Sequence, residues 1–201
     1  MLRGDAGRSD DVVNEGHLQF LASPEWAEML KTDLLPWVEA AGDLGDDVLE
    51  VGPGPGLTTE LLRRRVPRLT AIEIDPSLAA PLQERLARSN VEVLCVDATD
   101  SGLPFDRFSA ATCFSMLHHM PSSEDQDRLF AEIGRVLRPG GILVGVDSLD
   151  LDVIRAGHED DTFVPIDPET LGERLAIAGL GNPTIDVGEY QFRFTARKPA
   201  V

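Results

Sequence analysis

Cysteine is scarce: the chain has two in 201 residues. A chain of this length buries a full core without cross-links, so a disulfide framework is excluded as the source of its stability. Cys95 and Cys113 fall in apolar stretches that read as strands. Buried free thiols and a cytoplasmic setting are the expectation. No apolar run approaches the roughly 20 residues that cross a bilayer, so no membrane partner is expected. The polar, acidic N-terminal stretch shows no signal-peptide pattern. Basic residues are few, 18 against 35 acidic ones, for a net charge of -17. Such a surface repels phosphate backbones and speaks against a nucleic-acid partner. An acid-rich or halophilic proteome would give the same balance. The one dense basic run, Arg63-Arg64-Arg65, ends a predicted helix, where cations suit the helix dipole. Internal repeats and low-complexity segments are absent.

What is present is a strand, a glycine corner and a helix. Val48-Leu49-Glu50-Val51 reads as a buried strand, Gly52-Pro53-Gly54-Pro55-Gly56 as a tight loop, and Leu57-Thr58-Thr59-Glu60-Leu61-Leu62 as the start of a helix. That order builds nucleotide-shaped sites in parallel α/β sheets. A dinucleotide fingerprint wants glycine at the first, third and sixth positions. Counted from Gly52, the glycines here stand first, third and fifth, and Leu57 stands sixth. This weakens a nicotinamide oxidoreductase reading. A second strand, Leu69 to Asp75, carries two acids at its tip, Glu73 and Asp75. An acid there, about 20 residues past the glycines, suits ribose hydroxyls. Asp75 precedes Pro76-Ser77, so it also reads as a helix cap. A third strand, Val91 to Thr99, includes Asp97, for which an Asx-turn is the plain alternative. A fourth strand, Phe108 to Phe114, runs into the polar tip Ser115-Met116-Leu117-His118-His119, and Leu137-Arg138-Pro139-Gly140-Gly141 leads into a fifth at Ile142 to Val146.

Between residues 48 and 146, Glu50 with the three glycines, Ala71-Ile72-Glu73-Ile74-Asp75-Pro76, Asp97-Ala98 and the Pro139-Gly140-Gly141 turn follow in an order that resembles the class I S-adenosylmethionine-dependent methyltransferases. The resemblance implies an α/β fold, doubly wound, with a mostly parallel seven-stranded sheet, an antiparallel C-terminal strand and an N-terminal helical cap. It implies S-adenosylmethionine as cofactor and S-adenosylhomocysteine as product. It places Glu50, Gly52, Pro53, Gly54 and Gly56 at the methionine end and Glu73 at the ribose, with Ile74 beside it as a further cofactor contact. It sets Asp97 and Ala98 at the adenine, and Phe114 and Ser115 at the fourth strand's tip. Glu73 is favoured over Asp75 on that basis.

The implied reaction is in-line methyl transfer to a small-molecule acceptor, in which alignment supplies up to about 7–11 kcal/mol of the barrier. A general base adds about 10²–10⁴-fold where the acceptor must lose a proton. His118 and His119 stand where the methyl would point; His118 is the preferred base, and His119 has a structural alternative. Two sub-types are disfavoured. The Asn or Asp, Pro-Pro and aromatic signature of amino-methylating nucleic-acid enzymes is missing from Ser115-Met116-Leu117-His118, and no Asp stands where catechol-type enzymes hold Mg²⁺. The four histidines, His17, His118, His119 and His158, lack metal-ligand spacing, so no metal is expected.

Residues 1–45 are expected to form a frayed tail (1–15) and a helical cap broken near Ser23-Pro24, and residues 46–201 the cofactor-binding domain. Helices are expected over 57–66, 77–88, 123–137 and 168–178. Asn14, His17, Phe20 and Trp26 are candidates for an acceptor pocket, with helix packing as the alternative for Phe20 and Trp26. His158 is a further candidate, although His158-Glu159-Asp160-Asp161-Thr162-Phe163 also reads as a solvated acidic loop, and Leu149 to Asp161 is short, acidic and without a clear element pattern. The C-terminal tail alternates with period two, which predicts a hairpin with Tyr190, Phe192 and Phe194 on one face. The competing functional reading is a non-catalytic protein that binds the same cofactor, or a partner, on the same fold.

Overall fold

A computed structural model describes residues 16, 19, 21–159 and 161–200. The expected tail over 1–15 lies outside the described residues. Residues 16, 19 and 21 are helical, the helix breaks at Ala22-Ser23, and the next one is capped by Ser23, whose hydroxyl accepts from the Trp26 amide at 3.1 Å. Pro24 follows at the first helical position, where its missing N–H costs nothing. Helix α1 (Pro24–Met29) passes through a π-turn (Leu30–Leu34) into α2 (Leu35–Ala41). Leu30, Leu34 and Val38 bury their side chains against Val48, Ile142 and Val144 of the sheet.

Seven strands follow: β1 (Asp47–Val51), β2 (Arg68–Glu73), β3 (Val91–Cys95), β4 (Phe108–Phe114), β5 (Leu137–Ser148), β6 (Gly181–Val187) and β7 (Gln191–Arg197). Their spatial order is β3-β2-β1-β4-β5-β7-β6. The pairs among β1 to β5 are parallel, and β7 runs antiparallel between β5 and β6. Order reverses between β1 and β4, and a crevice beyond the strand ends at such a switch point is where open α/β sheets bind ligands. Helices α3 (Leu57–Leu62), α4 (Pro76–Leu86), α5 (Ser123–Val136), α6 (Asp152–Ala156) and α7 (Pro168–Ile177) connect the strands. β1 and β4 read as near-continuous apolar runs because both faces of a central parallel strand are covered. Their residues are buried over nearly their full lengths.

Four expectations change. Residues 137–141 do not form a free turn: the segment is drawn into β5, with a register shift opposite Phe108 and Ala110. The Gly140 amide donates to the Lys198 carbonyl at 2.9 Å, which fastens the Pro-Gly-Gly corner to the chain after β7. Cys113 is buried but Cys95 is exposed, because it ends β3 at the open edge of the sheet. Phe192 and Phe194 are buried in β7, whereas Tyr190 precedes the strand and is 52% exposed. The stretch from His158 to Phe163 is not simply a solvated loop: it follows α6, and His158 is half-buried against Phe163 with ring centroids 4.5 Å apart. Among the described residues, no helix is long and apolar enough to cross a membrane.

Candidate active site

The glycine corner is held from behind. Gly52 and Gly56 have φ of +67° and +84°, backbone that L side chains rarely adopt. A Cβ on Gly52 would fall 2.8 Å from Met116 Cβ, and one on Gly56 would fall 2.4 Å from Leu82 Cδ1. Glu50 is buried at the end of β1 and accepts from the Thr58 hydroxyl at 2.5 Å. Burial pushes its pKa up to about 7; the hydroxyl groups of Thr58 and Thr59 oppose that rise and the charge of Glu73 adds to it. Glu73 ends β2, and its two carboxylate oxygens accept from the amides of Gly54 and Asp75, both at 3.0 Å. Burial raises its pKa too, against the pull of those amides. Each oxygen has a second lone pair, so the same carboxylate can still accept from a diol. Asp75 caps α4 through the Ser77 amide at 2.7 Å. Asp97 spends one oxygen on the amide and hydroxyl of Thr99, both at 2.8 Å, in the Asx-type turn that was its plain alternative.

A cavity of about 260 Å³ opens in front of these groups. Gly52, Gly54, Glu73, Ile74, Asp75, Asp97, Ala98, Ser115 and His119 are among its lining residues. Ile74 is 55% exposed there, an apolar side chain turned to solvent at a polar rim. Glu50, Pro53, Gly56 and Phe114 are not among its lining residues and stand behind it as support. A larger cavity of about 820 Å³ lies alongside, bounded by Trp26, Ser115, His118, His158, Tyr190 and Arg193 among others. The two cavities share Leu21 and Ser115. Ser115 is a non-glycine residue at φ +52°, a conformation that stores strain at the junction. Of the acceptor-side candidates, Trp26 and His158 therefore reach the larger cavity, while Asn14, His17 and Phe20 lie outside the described residues.

His118 and His119 sit on a one-turn 3₁₀ helix (Leu117–His119) just past β4. His118 is 1% exposed, and its Nδ1 donates to Asp147 Oδ1, from a residue that is itself 0% exposed. Asp147 also accepts from the amides of Leu117 (2.9 Å) and Ser148 (2.7 Å), so its position at the end of β5 is fixed. Its charge and the burial of the site hold the Cys113 thiol far above its ordinary pKa, burial being the larger cause. His119 Nδ1 donates to the Thr162 carbonyl at 3.2 Å, and His158 Nδ1 to the Ile154 carbonyl at 2.7 Å. The Gln126 amide donates to the carbonyls of Leu117 and Val164, at 3.1 and 2.8 Å, and so clamps the tip of β4 to the segment after α6. Three histidines that looked scattered along the chain are thereby gathered; the ring centroids of His118 lie 4.1 Å from His119 and 5.0 Å from His158. The sequence reading missed Asp147, Tyr190 and Arg193. Asp147 sits in a strand-end pattern that reads as a simple Asx position, and the other two belong to a hairpin whose alternation shows faces, not cavities.

A family model described as "Methyltransferase domain" matches residues 49–145. An uncharacterized methyltransferase of Mycobacterium tuberculosis is 35% identical over 99 residues, 49% of each chain. The ribosomal RNA small subunit methyltransferase A of Acidobacterium capsulatum is 51% identical over 61 residues, 30% of this chain and 22% of that one. The chain spans at most about half the length of these curated relatives. In fold it is similar to the N-methyltransferase NodS of Bradyrhizobium japonicum WM9, solved with S-adenosylhomocysteine, at TM-score 0.70 and 21% identity over 94% of this chain and 95% of that one. The segment matched by the methyltransferase-domain model holds the glycine corner, the strand-tip acids Glu50, Glu73 and Asp97 and the β4–β5 pair, and the strand order with β7 inserted antiparallel gives the chain the fold of the S-adenosylmethionine-dependent methyltransferases it is similar to.

Proposed function

We propose that this protein is an enzyme that binds S-adenosylmethionine in the smaller cavity and transfers its methyl group to a small-molecule acceptor in the larger one. The observation that carries the reading is the junction: Ser115 and Leu21 border both cavities, with His118 on the acceptor side and His119 on the cofactor side. Glu73 accepts from the ribose hydroxyls, Ile74 and Ala98 hold the adenine faces, and Asp97 accepts from its amino group. Gly52 and Gly54 let the methionine end approach the backbone, with Glu50, Pro53 and Gly56 behind them. Phe114 and Ser115 set the tip of β4 at the sulfur. Trp26 and His158 line the acceptor's side, and His118 engages its nucleophilic group. The acceptor's X–H bond is lost and an X–CH₃ bond forms as the S–CH₃ bond breaks; the products are methylated acceptor, S-adenosylhomocysteine and a proton.

The cavity of about 820 Å³ has the size of small-molecule pockets. The net charge of -17 disfavours a nucleic-acid acceptor, although the chain's relatives include ribosomal RNA methyltransferases. Two free cysteines, one of them exposed, fit a reducing cytoplasm. Thermal shifts with S-adenosylmethionine, S-adenosylhomocysteine and NAD test the cofactor. At 100 times its dissociation constant the right ligand stabilises by about 2.7 kcal/mol. Stabilisation by NAD alone would overturn the reading. Cofactor binding without turnover on any small-molecule or RNA acceptor would leave a binding protein.

A further inference from the structure

We infer that His118, His119 and His158 form a binding site for a divalent transition metal of the zinc type, placed between the two cavities. One ligand nitrogen from each lies within 4.8 Å of the others, and His118 and His119 are buried while His158 is half-buried. Each Nδ1 faces an acceptor that cannot donate: the Asp147 carboxylate, the Thr162 carbonyl and the Ile154 carbonyl. In neutral imidazoles this puts the proton on Nδ1 and the lone pair on Nε2 in all three rings. A carboxylate or carbonyl holding the far nitrogen is the support that metal-bound histidines use to fix tautomer and orientation. Three neutral imidazoles suit zinc, copper, iron or nickel, and not magnesium or calcium, which take oxygen ligands.

Nitrogens bound tetrahedrally at 2.0–2.1 Å lie about 3.4 Å apart. The present spread therefore has to close by at most about 1.4 Å. His158 sits in the turn after the five-residue α6, so small rotations there can supply this. Three protein ligands leave a coordination position open, the arrangement of catalytic rather than structural sites. This part rests on the methyl-transfer reading: His118 then engages the acceptor through the ion. A hydroxyl bound at the open position would lose its proton to solvent in the larger cavity and attack the methyl as an alkoxide, which keeps a lone pair beyond the one held by the ion. No oxidant or reductant enters.

The test is metal binding to the untagged full chain in a Cys95→Ser background, which removes the exposed thiol as a competing ligand. After chelator dialysis the protein is titrated with Zn²⁺ and Co²⁺. The expected result is one ion retained per chain through desalting, strong visible Co²⁺ absorption and a rise in melting temperature. His158→Ala and His119→Ala lose all three signals, and Asp147→Asn weakens binding by about 10–100-fold. Circular dichroism checks that each variant is folded; should a variant at 118 or 119 fail to fold, His158→Ala alone decides. No retained ion, or equal retention in the parent and His158→Ala, overturns the site. S-adenosylhomocysteine binding is measured on the same samples. Its persistence without metal binding sinks the metal site alone, and its loss in the metal-binding parent sinks the methyl-transfer reading instead.

Discussion

The smaller cavity is assembled from residues that follow one another at successive strand tips: Gly52 after β1, Glu73 at the end of β2, Asp97 after β3 and Ser115 after β4. The larger one draws on Trp26, His118, His158, Tyr190 and Arg193, from the cap, one strand tip, the turn after α6 and the terminal hairpin. In the first, position follows from backbone: a parallel sheet puts every carboxyl-terminal strand end on one edge, and glycines clear the space. In the second, position follows from side-chain packing between distant segments, such as the ion pair of Arg193 with Asp33 and the hold of Gln126 on Val164. A site of the first kind is set by the fold that the family shares, while one of the second kind changes with the segments that cover it.

The sharpest way to separate the two halves is His118→Ala. Turnover should fall by about 10²–10⁴-fold, the range for losing a group that activates the acceptor. The dissociation constant for S-adenosylmethionine, from calorimetry, should stay the same, since His118 does not line the smaller cavity. Equal loss in both would mean the cavities are not independent. The converse change is Gly56→Ala, which puts a Cβ 2.4 Å from Leu82 Cδ1 at φ +84°. It should destabilise the fold by about 2–4 kcal/mol in urea titrations and weaken cofactor binding.

Glu50 gives a subtler contrast through pH. Between the ordinary value of 4.5 and about 7 the folded chain keeps a proton that the unfolded chain has released. This site's contribution to stability is therefore complete below pH 4.5 and is lost as pH rises through 7, on the order of 1–3 kcal/mol. Cofactor binding should run the opposite way, because the ammonium end of S-adenosylmethionine favours the carboxylate. With a pKa of about 7 the ionised fraction rises from roughly a tenth at pH 6 to nine tenths at pH 8, so affinity should tighten about tenfold. Glu50→Gln should flatten both profiles; affinity that stays pH-dependent in that variant assigns the titration elsewhere. The smallest effect belongs to Asp97→Ala, which removes the proposed hydrogen bond to the adenine and should weaken cofactor binding about tenfold with turnover at saturation unchanged.

The same contrast explains what the sequence disclosed. Strand tips and glycine spacing are local patterns, so the sheet and the inserted β7 could be read from residues 48–146 and the terminal alternation, whereas Glu73 and Asp75 both line the smaller cavity and the choice between them is not settled by position. The Ser23 and Asp75 caps were equally local, a side chain meeting an amide two or three residues ahead. The histidine cluster was not local. His118 and His158 are forty residues apart in number and meet only because β5 and α6 return the chain beneath the tip of β4. Asp147 was hidden for the same reason: nothing around it distinguishes a strand-end acid that caps its own backbone from one that reaches across to His118. Tyr190 kept the parity of Phe192 and Phe194 but lies one residue short of the strand, where the turn aims it at the cavity.

The most direct measurement is a crystal structure of the chain with S-adenosylhomocysteine. The ribose hydroxyls should lie on Glu73, the adenine between Ile74 and Ala98, and the open side of the sulfur at Ser115, facing His118 across the shared border. A nucleoside bound anywhere else, or a sulfur turned away from the larger cavity, would contradict the account.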